Sequence, residues 1–273
     1  MPAYLDSILV AHRAAAAADG RDVAAAVEAA RAHVASPTGA PATGAPRDFV
    51  AALVGGRADR GMAVISEIKR RSPSKGDLDP DLDPALVAAE YEAGGASCLS
   101  VLTDEAFFGG CRADLEAARA ACGLPVLRKD FTVSALDVCD ARIMGADAVL
   151  LIVAALDDAE LASLSDLART LGLAALVEVH DELELERALA VGADLVGVNQ
   201  RDLRTFEVDR ERALRMGERM PEGVVAVAES GIRDAADVSR LADAGYSAVL
   251  VGEALVRSAD RTSAVDGLLG AAT

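Results

Sequence analysis

The chain has 273 residues, 52% of them apolar, with 27 basic against 44 acidic side chains and a formal net charge of −17. The apolar share is enough to fill the core of one large α/β domain or two small ones. The acid excess disfavours nucleic acid and anionic membrane surfaces as partners, since both need a basic face, but an anionic small molecule met by a few converging cations remains compatible.

No targeting or spanning segment is expected. The longest uninterrupted apolar run, Ala148 to Leu156, falls far short of the roughly 20 residues a membrane span needs and reads as a buried strand. The first residues lack a basic n-region and Asp6 interrupts any apolar stretch there, so the cytoplasm is the expected compartment. Cys98, Cys111, Cys122 and Cys139 form no C-x-x-C pair and no histidine stands at ligand spacing from them, so free thiols and no metal are expected. His12, His33 and His180 belong to no H-E-x-x-H motif, and no P-loop appears.

In chain order, residues 3–35 carry apolar side chains at helical spacing, first Leu5, Ile8, Leu9 and His12, then Val23, Val27, Ala30 and Val34, with Gly20 between the sets. Residues 36–47 hold Pro37, Pro41 and Pro46 with Gly39 and Gly44, a composition that sustains neither helix nor sheet interior. Residues 1–47 are therefore set apart as an N-terminal helical extension with a Pro/Gly connector, and residues 48–273 as the main body.

From Met62 onward, β-rich runs alternate with helix-period runs. The expected strands are Ala63 to Lys69, Cys98 to Leu102, Pro125 to Lys129, Ala148 to Val153, Ala175 to Val179, Leu195 to Asn199, Val224 to Ala228 and Ala248 to Val251. The expected helices between them are Pro84 to Ala93, Ala113 to Cys122, Ala135 to Met144, Asp158 to Leu171, Glu182 to Val191, Arg210 to Met220 and Ala235 to Ala244, with a last one after Glu253. Gly95-Ala96-Ser97, Gly145-Ala146-Asp147, Gly192-Ala193-Asp194 and Gly245-Tyr246-Ser247 recur about 50 residues apart, each closing a helix and launching an apolar strand. Strict β/α alternation means a parallel sheet covered by helices, and eight units favour closure into an α/β (β/α)₈ TIM barrel. An open doubly wound sheet is the alternative, but it would bring a G-x-G-x-x-G turn that is absent here.

Polar residues gather where a barrel places its chemistry, at the C-terminal ends of strands. Glu67 and Lys69 end the first strand, Lys129 and Phe131 the third, Glu178 the fifth, Asn199 and Arg201 the sixth, Glu229 and Ser230 the seventh. The chain has only three lysines, Lys69, Lys75 and Lys129, all on strand ends or loops of that one face. Such sparing use fits either a compositional bias or positions that need an ammonium able to give up its proton, which Arg does not supply. Taken singly, Glu67 with Lys69 reads as an ion pair, Glu178 as a strand terminus and Asn199 as a turn former; convergence from five strands is what makes them a site. Clustered cations and partial burial are expected to lower a lysine pKa towards neutrality. Glu229-Ser230-Gly231 after the seventh strand and Gly252-Glu253 after the eighth sit where barrels bind phosphate with backbone N–H groups. Phe108 and Phe131 stand out among so few aromatics, either as ordinary packing or as walls for a planar group. His180, just past Glu178, reads as a loop or supporting residue.

These motifs resemble the indole-3-glycerol phosphate synthase family of tryptophan biosynthesis. The resemblance runs from about residue 4 to the C-terminus. It is carried by Glu67-Ile68-Lys69-Arg70-Arg71-Ser72-Pro73-Ser74-Lys75-Gly76, Leu127-Arg128-Lys129-Asp130-Phe131, Leu150-Leu151-Ile152-Val153, Leu176-Val177-Glu178-Val179, Gly197-Val198-Asn199-Gln200-Arg201-Asp202-Leu203 and Ala228-Glu229-Ser230-Gly231-Ile232. The resemblance implies a cofactor-free lyase that closes the ring of 1-(2-carboxyphenylamino)-1-deoxyribulose 5-phosphate with loss of CO₂ and water. It implies Lys129 as general acid, Lys69 at the substrate carboxylate with a share in proton transfer, the division of steps between the two lysines staying open, Glu178 in the dehydration, Glu67 balancing the lysines, and Asn199 and Arg201 on polar substrate groups. Ser72, Ser230, Gly231 and Gly252 would hold the phosphate, beside Glu229, while Phe108, Phe131 and Leu150 flank the aromatic ring. Glu253 stands where some relatives carry serine, which leaves its backbone N–H as the group able to serve. The expected partner is a phosphorylated small molecule, with neither nucleic acid nor membrane, and the chain is expected to act as a monomer. A phosphoribosylanthranilate isomerase-like barrel would give no reason for Lys69 and Lys129 together, and a non-catalytic binding barrel would tolerate loss of Lys129 or Glu178.

Overall fold

A computed structural model of the chain describes residues 4–35 and 45–270, so most of the Pro/Gly connector lies outside the described residues. Eight parallel strands form a closed barrel: β1 (Ala63–Ile68), β2 (Cys98–Leu102), β3 (Val126–Lys129), β4 (Ala148–Ile152), β5 (Ala174–Val179), β6 (Leu195–Asn199), β7 (Val225–Glu229) and β8 (Ala248–Val251). Each pairs with its sequence neighbours, and β1 closes on β8 with Ala63 opposite Ala248. Most strand residues are fully buried, which is why the strands read as nearly unbroken apolar runs.

The N-terminal helices α1 (Tyr4–Ala18) and α2 (Val23–Ala35) precede α3 (Phe49–Arg60). The barrel helices are α4 (Pro84–Ala93), a short α5 (Glu105–Phe108), α6 (Arg112–Ala121), α7 (Ala135–Ile143), α8 (Asp158–Thr170), α9 (Glu182–Ala190), α10 (Arg212–Gly217), α11 (Ala235–Asp243), α12 (Glu253–Val256) and α13 (Arg261–Leu269). Most start on a side-chain cap legible in the sequence. Asp83 caps α4 ahead of Pro84, and Ser134 with Asp137 and Asp157 with Glu160 form capping boxes on α7 and α8. The repeated glycines do what the pattern implies, Gly145 (φ 94°) and Gly245 (φ 92°) turning the chain from helix into strand through the left-handed region.

Helix α3 is absent from the sequence reading. Its two adjacent glycines weaken any helical pattern, yet Gly56 is there for packing: a Cβ at that position would overlap the Ser97 hydroxyl. Asp48 caps its start and Gly61 (φ 78°) ends it, and Phe49 and Leu53 are buried in the core. The segment after Arg210 is shorter than expected, and the single final helix resolves into α12 and α13. No described helix is long and apolar enough to cross a membrane.

The extension is docked on the barrel. His12 Nε2 lies 2.8 Å from Asp104 Oδ2, Arg13 donates to Glu160 at 2.7 Å and to the Ala155 carbonyl at 2.9 Å, and Arg21 donates to Asp140 at 2.7 Å. Helix α2 packs on α7 with Ala30 fully buried.

Candidate active site

Side chains alternate across a strand, so the residues that face inward at the top of a barrel come in layers drawn from alternate strands. Here the four odd strands supply Glu67 from β1, Lys129 from β3, Glu178 from β5 and Glu229 from β7. The inward positions two residues earlier are Ile65, Leu127, Leu176 and Val227, all buried. The uppermost layer is thus one ammonium among three carboxylates on an apolar floor.

Lys129 Nζ donates to Glu178 Oε2 and to Glu229 Oε2, both at 2.8 Å. Glu178 Oε1 accepts from Asn199 Nδ2 at 3.1 Å, and Asn199 Oδ1 in turn accepts the Arg201 backbone N–H at 3.0 Å. Lys69, one residue beyond β1, pairs with Glu67. The charges of this layer decide one another's titration. Burial disfavours the Lys129 ammonium, but Glu178, Glu229 and Glu67 outweigh it and hold its pKa above the usual lysine value. Burial pushes Glu178 up as well, yet Lys129 and His180 prevail and its carboxyl is depressed. Glu229 goes the other way: burial and the negative charges of Glu178 and Glu67 raise it despite Lys129. Two carboxylates on one ammonium are thereby driven apart, one a firm anion and one ready to carry a proton. The expected lowering of a lysine pKa by clustered cations does not occur at Lys129, because its neighbours are carboxylates.

A cavity of about 730 Å³ opens above this layer, and every residue given a catalytic or substrate-binding part from the sequence lines it, while His180 does not. Glu67, Lys69, Lys129, Glu178, Asn199 and Glu229 form its floor. Ser72, Ser230, Gly231, Gly252 and Glu253, with Phe108, Phe131, Leu150 and Arg201, line the rest of it. The Glu229 side chain is turned to Lys129 rather than outward beside Ser230, so it belongs with the charged floor. Ser230 (φ 66°) and Gly231 (φ 75°) are both left-handed, a costly conformation for serine that points to a backbone held for recognition. Gln200 Nε2 fixes it by donating to the Ser230 carbonyl at 2.8 Å. The Glu253 carboxylate faces Lys75 at 3.9 Å and Arg257 at 3.7 Å. Phe108 and Phe131 meet at a tilt, ring centres 6.3 Å apart, and His12 meets Phe131 at a similar tilt, 5.3 Å between centres. Leu5 and Ile8 of α1 also line the cavity; the sequence pattern marked them only as an apolar helix face.

Two glycines make room for the carboxylates, and the sequence reading assigned no such part to either. A Cβ at Gly197, on β6, would overlap Glu229 Oε1, and one at Gly252 would overlap Glu67 Oε1. Gly197→Ala is expected to displace Glu229 from Lys129 and lower kcat by about 10²-fold, the scale set by small misplacements of reacting groups. The fold should survive at a cost of about 1–3 kcal/mol. Steady-state kinetics with thermal melts check this, and an unchanged kcat would show that the floor tolerates the extra methyl.

Fold and floor together define a (β/α)₈-barrel enzyme with an acid–base cluster at the C-terminal rim of its strands. Solved structures with the same barrel include a 3-hexulose-6-phosphate synthase (TM-score 0.60, 20% identity, 77% of this chain and 99% of that one). A thiamine phosphate pyrophosphorylase from Pyrococcus furiosus is similar (TM-score 0.57, 17% identity, 79% and 97%). Such likenesses show the fold alone. The indole-3-glycerol phosphate synthase family model matches residues 16–268. An indole-3-glycerol phosphate synthase of Micrococcus luteus is 56% identical over 214 residues, 78% of this chain and 80% of that protein. Indole-3-glycerol phosphate synthase 2 of Streptomyces coelicolor is 54% identical over 224 residues, 82% and 85%. The chain belongs to the indole-3-glycerol phosphate synthase family.

Proposed function

We propose that this protein is a lyase of tryptophan biosynthesis. It closes the ring of 1-(2-carboxyphenylamino)-1-deoxyribulose 5-phosphate, releasing CO₂ and water to leave indole-3-glycerol phosphate. The observation that carries the reading is Lys129, held by two carboxylates 2.8 Å away on the floor of a cavity that the left-handed Ser230-Gly231 backbone also lines.

Ser72, Ser230, Gly231 and Gly252 seat the phosphate, where backbone N–H groups and close approach suit an anion. Lys69 takes the substrate carboxylate, Phe108, Phe131 and Leu150 clasp the aromatic ring, and Asn199 and Arg201 hold the sugar hydroxyls. As the ring carbon attacks the ribulose carbonyl, negative charge grows on the oxygen and Lys129 protonates it. Its raised pKa does not prevent this, because an alkoxide is the stronger base; until then the proton is kept. CO₂ leaves its bonding electrons in the ring and restores aromaticity. Glu178 then serves the dehydration, in which the hydroxyl leaves as water and the adjacent methylene gives up a proton. The chain works as a monomer on a phosphorylated small molecule, with no part for nucleic acid or membrane. Its four free cysteines suit a reducing cytoplasm.

The purified protein is expected to turn the carboxyphenylamino ribulose phosphate into a fluorescent indole product without added metal or nucleotide. A fluorescence time course checks this; substrate that binds but is not converted would leave only a binding barrel.

A further inference from the structure

The ring-closing reaction, with its substrate written as a carboxylate, needs one proton from solvent in every turnover. Two protons go to the carbonyl oxygen, which departs as water, and one returns from the methylene carbon. Lys129 supplies the first of these from the cavity floor and has to regain it before the next turnover. A path that does not cross the cavity would let it do so without waiting for ligand to leave.

His180, the residue after β5, lies on such a path. Its Nε2 is buried without a hydrogen-bond partner and lies 3.5 Å from Glu178 Oε1. Its Nδ1 is 3.0 Å from Glu184 Oε2, and the same oxygen accepts the His180 backbone N–H at 2.7 Å. Glu178 therefore has Lys129 on one carboxylate oxygen and His180, beside Asn199, on the other. Side-chain exposure is 12% at Lys129, 1% at Glu178, 12% at His180 and 17% at Glu184, so beyond the buried carboxylate the row reaches solvent on the side of α9.

We infer that His180 is a positioning residue that returns a proton to Lys129 through Glu178 after each turnover, with Glu184 fixing its ring. The inference rests on the ring-closing reading. The Nε2–H bond of the imidazolium breaks as an O–H bond forms on Glu178 Oε1. The carboxyl then yields a proton from Oε2 as the N–H bond of Lys129 re-forms, and a proton from solvent, arriving over the 12% of the His180 side chain that is exposed, restores the imidazolium. No electrons change hands. The groups facing the imidazole are Glu178 from β5, Glu184 from α9, Arg212 from α10 and Asp202 from the loop after β6. Burial opposes the charged ring, but Glu184 and Glu178 outweigh it and the His180 pKa is raised.

The test compares wild type, His180→Gln and Glu184→Gln, mixing each rapidly with substrate between about pH 6 and pH 9. Lys129 enters the first turnover already charged, so His180→Gln should complete it within about threefold of the wild-type rate. It should then fall about 10-fold or more in steady-state kcat with KM within about twofold, and added imidazole should restore part of the loss. Glu184→Gln should leave the first turnover intact and move the alkaline limb of steady-state kcat to lower pH. That shift decides the matter if His180→Gln does not fold. Wild type that converts nothing overturns the ring-closing reading and this one with it. Wild-type turnover, with first and later turnovers in the variants slowed equally or not at all, overturns the relay alone.

Discussion

Lys129→Ala is expected to lower turnover by about 10³-fold or more while the protein still binds product, because it removes the ammonium assigned to protonate the forming alkoxide. The substitution also leaves Glu178 and Glu229 together in a buried layer with their shared cation gone. Removing one partner of a buried ion pair costs about 3–5 kcal/mol, and here the remaining carboxyls answer by holding protons. Their folded pKa values then lie above the unfolded glutamate value, so the folded state binds more protons than the unfolded one and stability falls as pH rises through that interval. The variant should melt progressively earlier from about pH 5 to pH 8, more steeply than wild type. Kinetics and melting curves across that range check both halves. Turnover close to wild type would remove Lys129 from the mechanism.

Glu178→Gln carries the second large effect. The amide keeps the size of the side chain and one oxygen for Lys129, so KM should stay within about threefold while kcat falls by about 10²–10³-fold, the loss of a positioned acid–base group. The wild-type pH dependence has a definite sign. Although burial alone would raise it, Lys129 and His180 hold the Glu178 carboxyl below its ordinary value. It therefore contributes stability above the unfolded glutamate pKa, and that contribution disappears as pH falls through its depressed folded value. The variant lacks this group and should lose less stability than wild type on acidification. A rise in KM matching the fall in kcat would make Glu178 a binding residue instead.

Much of this was legible in the chain because a parallel barrel strand has to be apolar until its last residue or two. A charged residue there, such as Glu67, Lys129 or Glu178, is conspicuous. What pattern alone does not give is which strand tips meet. That Lys129 is held by Glu229 as well as Glu178 depends on the closure of eight strands and on the inward turn of β7. Neighbourhood in sequence placed Glu229 with Ser230, whereas alternation across the strand sends the two side chains apart. The raised pKa of Lys129 was missed for the same reason, since a count of nearby cations says nothing about how many carboxylates share its layer. Helix α3 was hidden because Gly56, needed beside Ser97, breaks the signal that would have announced it. Gly197 and Gly252 showed no sign of their work, since a glycine that makes space for a distant side chain looks like any other.

The cover and the floor of the cavity are fastened by different means. Its floor is woven into strands, whereas Leu5 and Ile8 ride on one helix tethered through His12 and Arg13. A change at Leu5 or Ile8 therefore alters the apolar lining of the cavity without touching the strands that carry the charged layer. Selection for a bulkier or smaller ring can act on those first turns while proton chemistry underneath stays untouched.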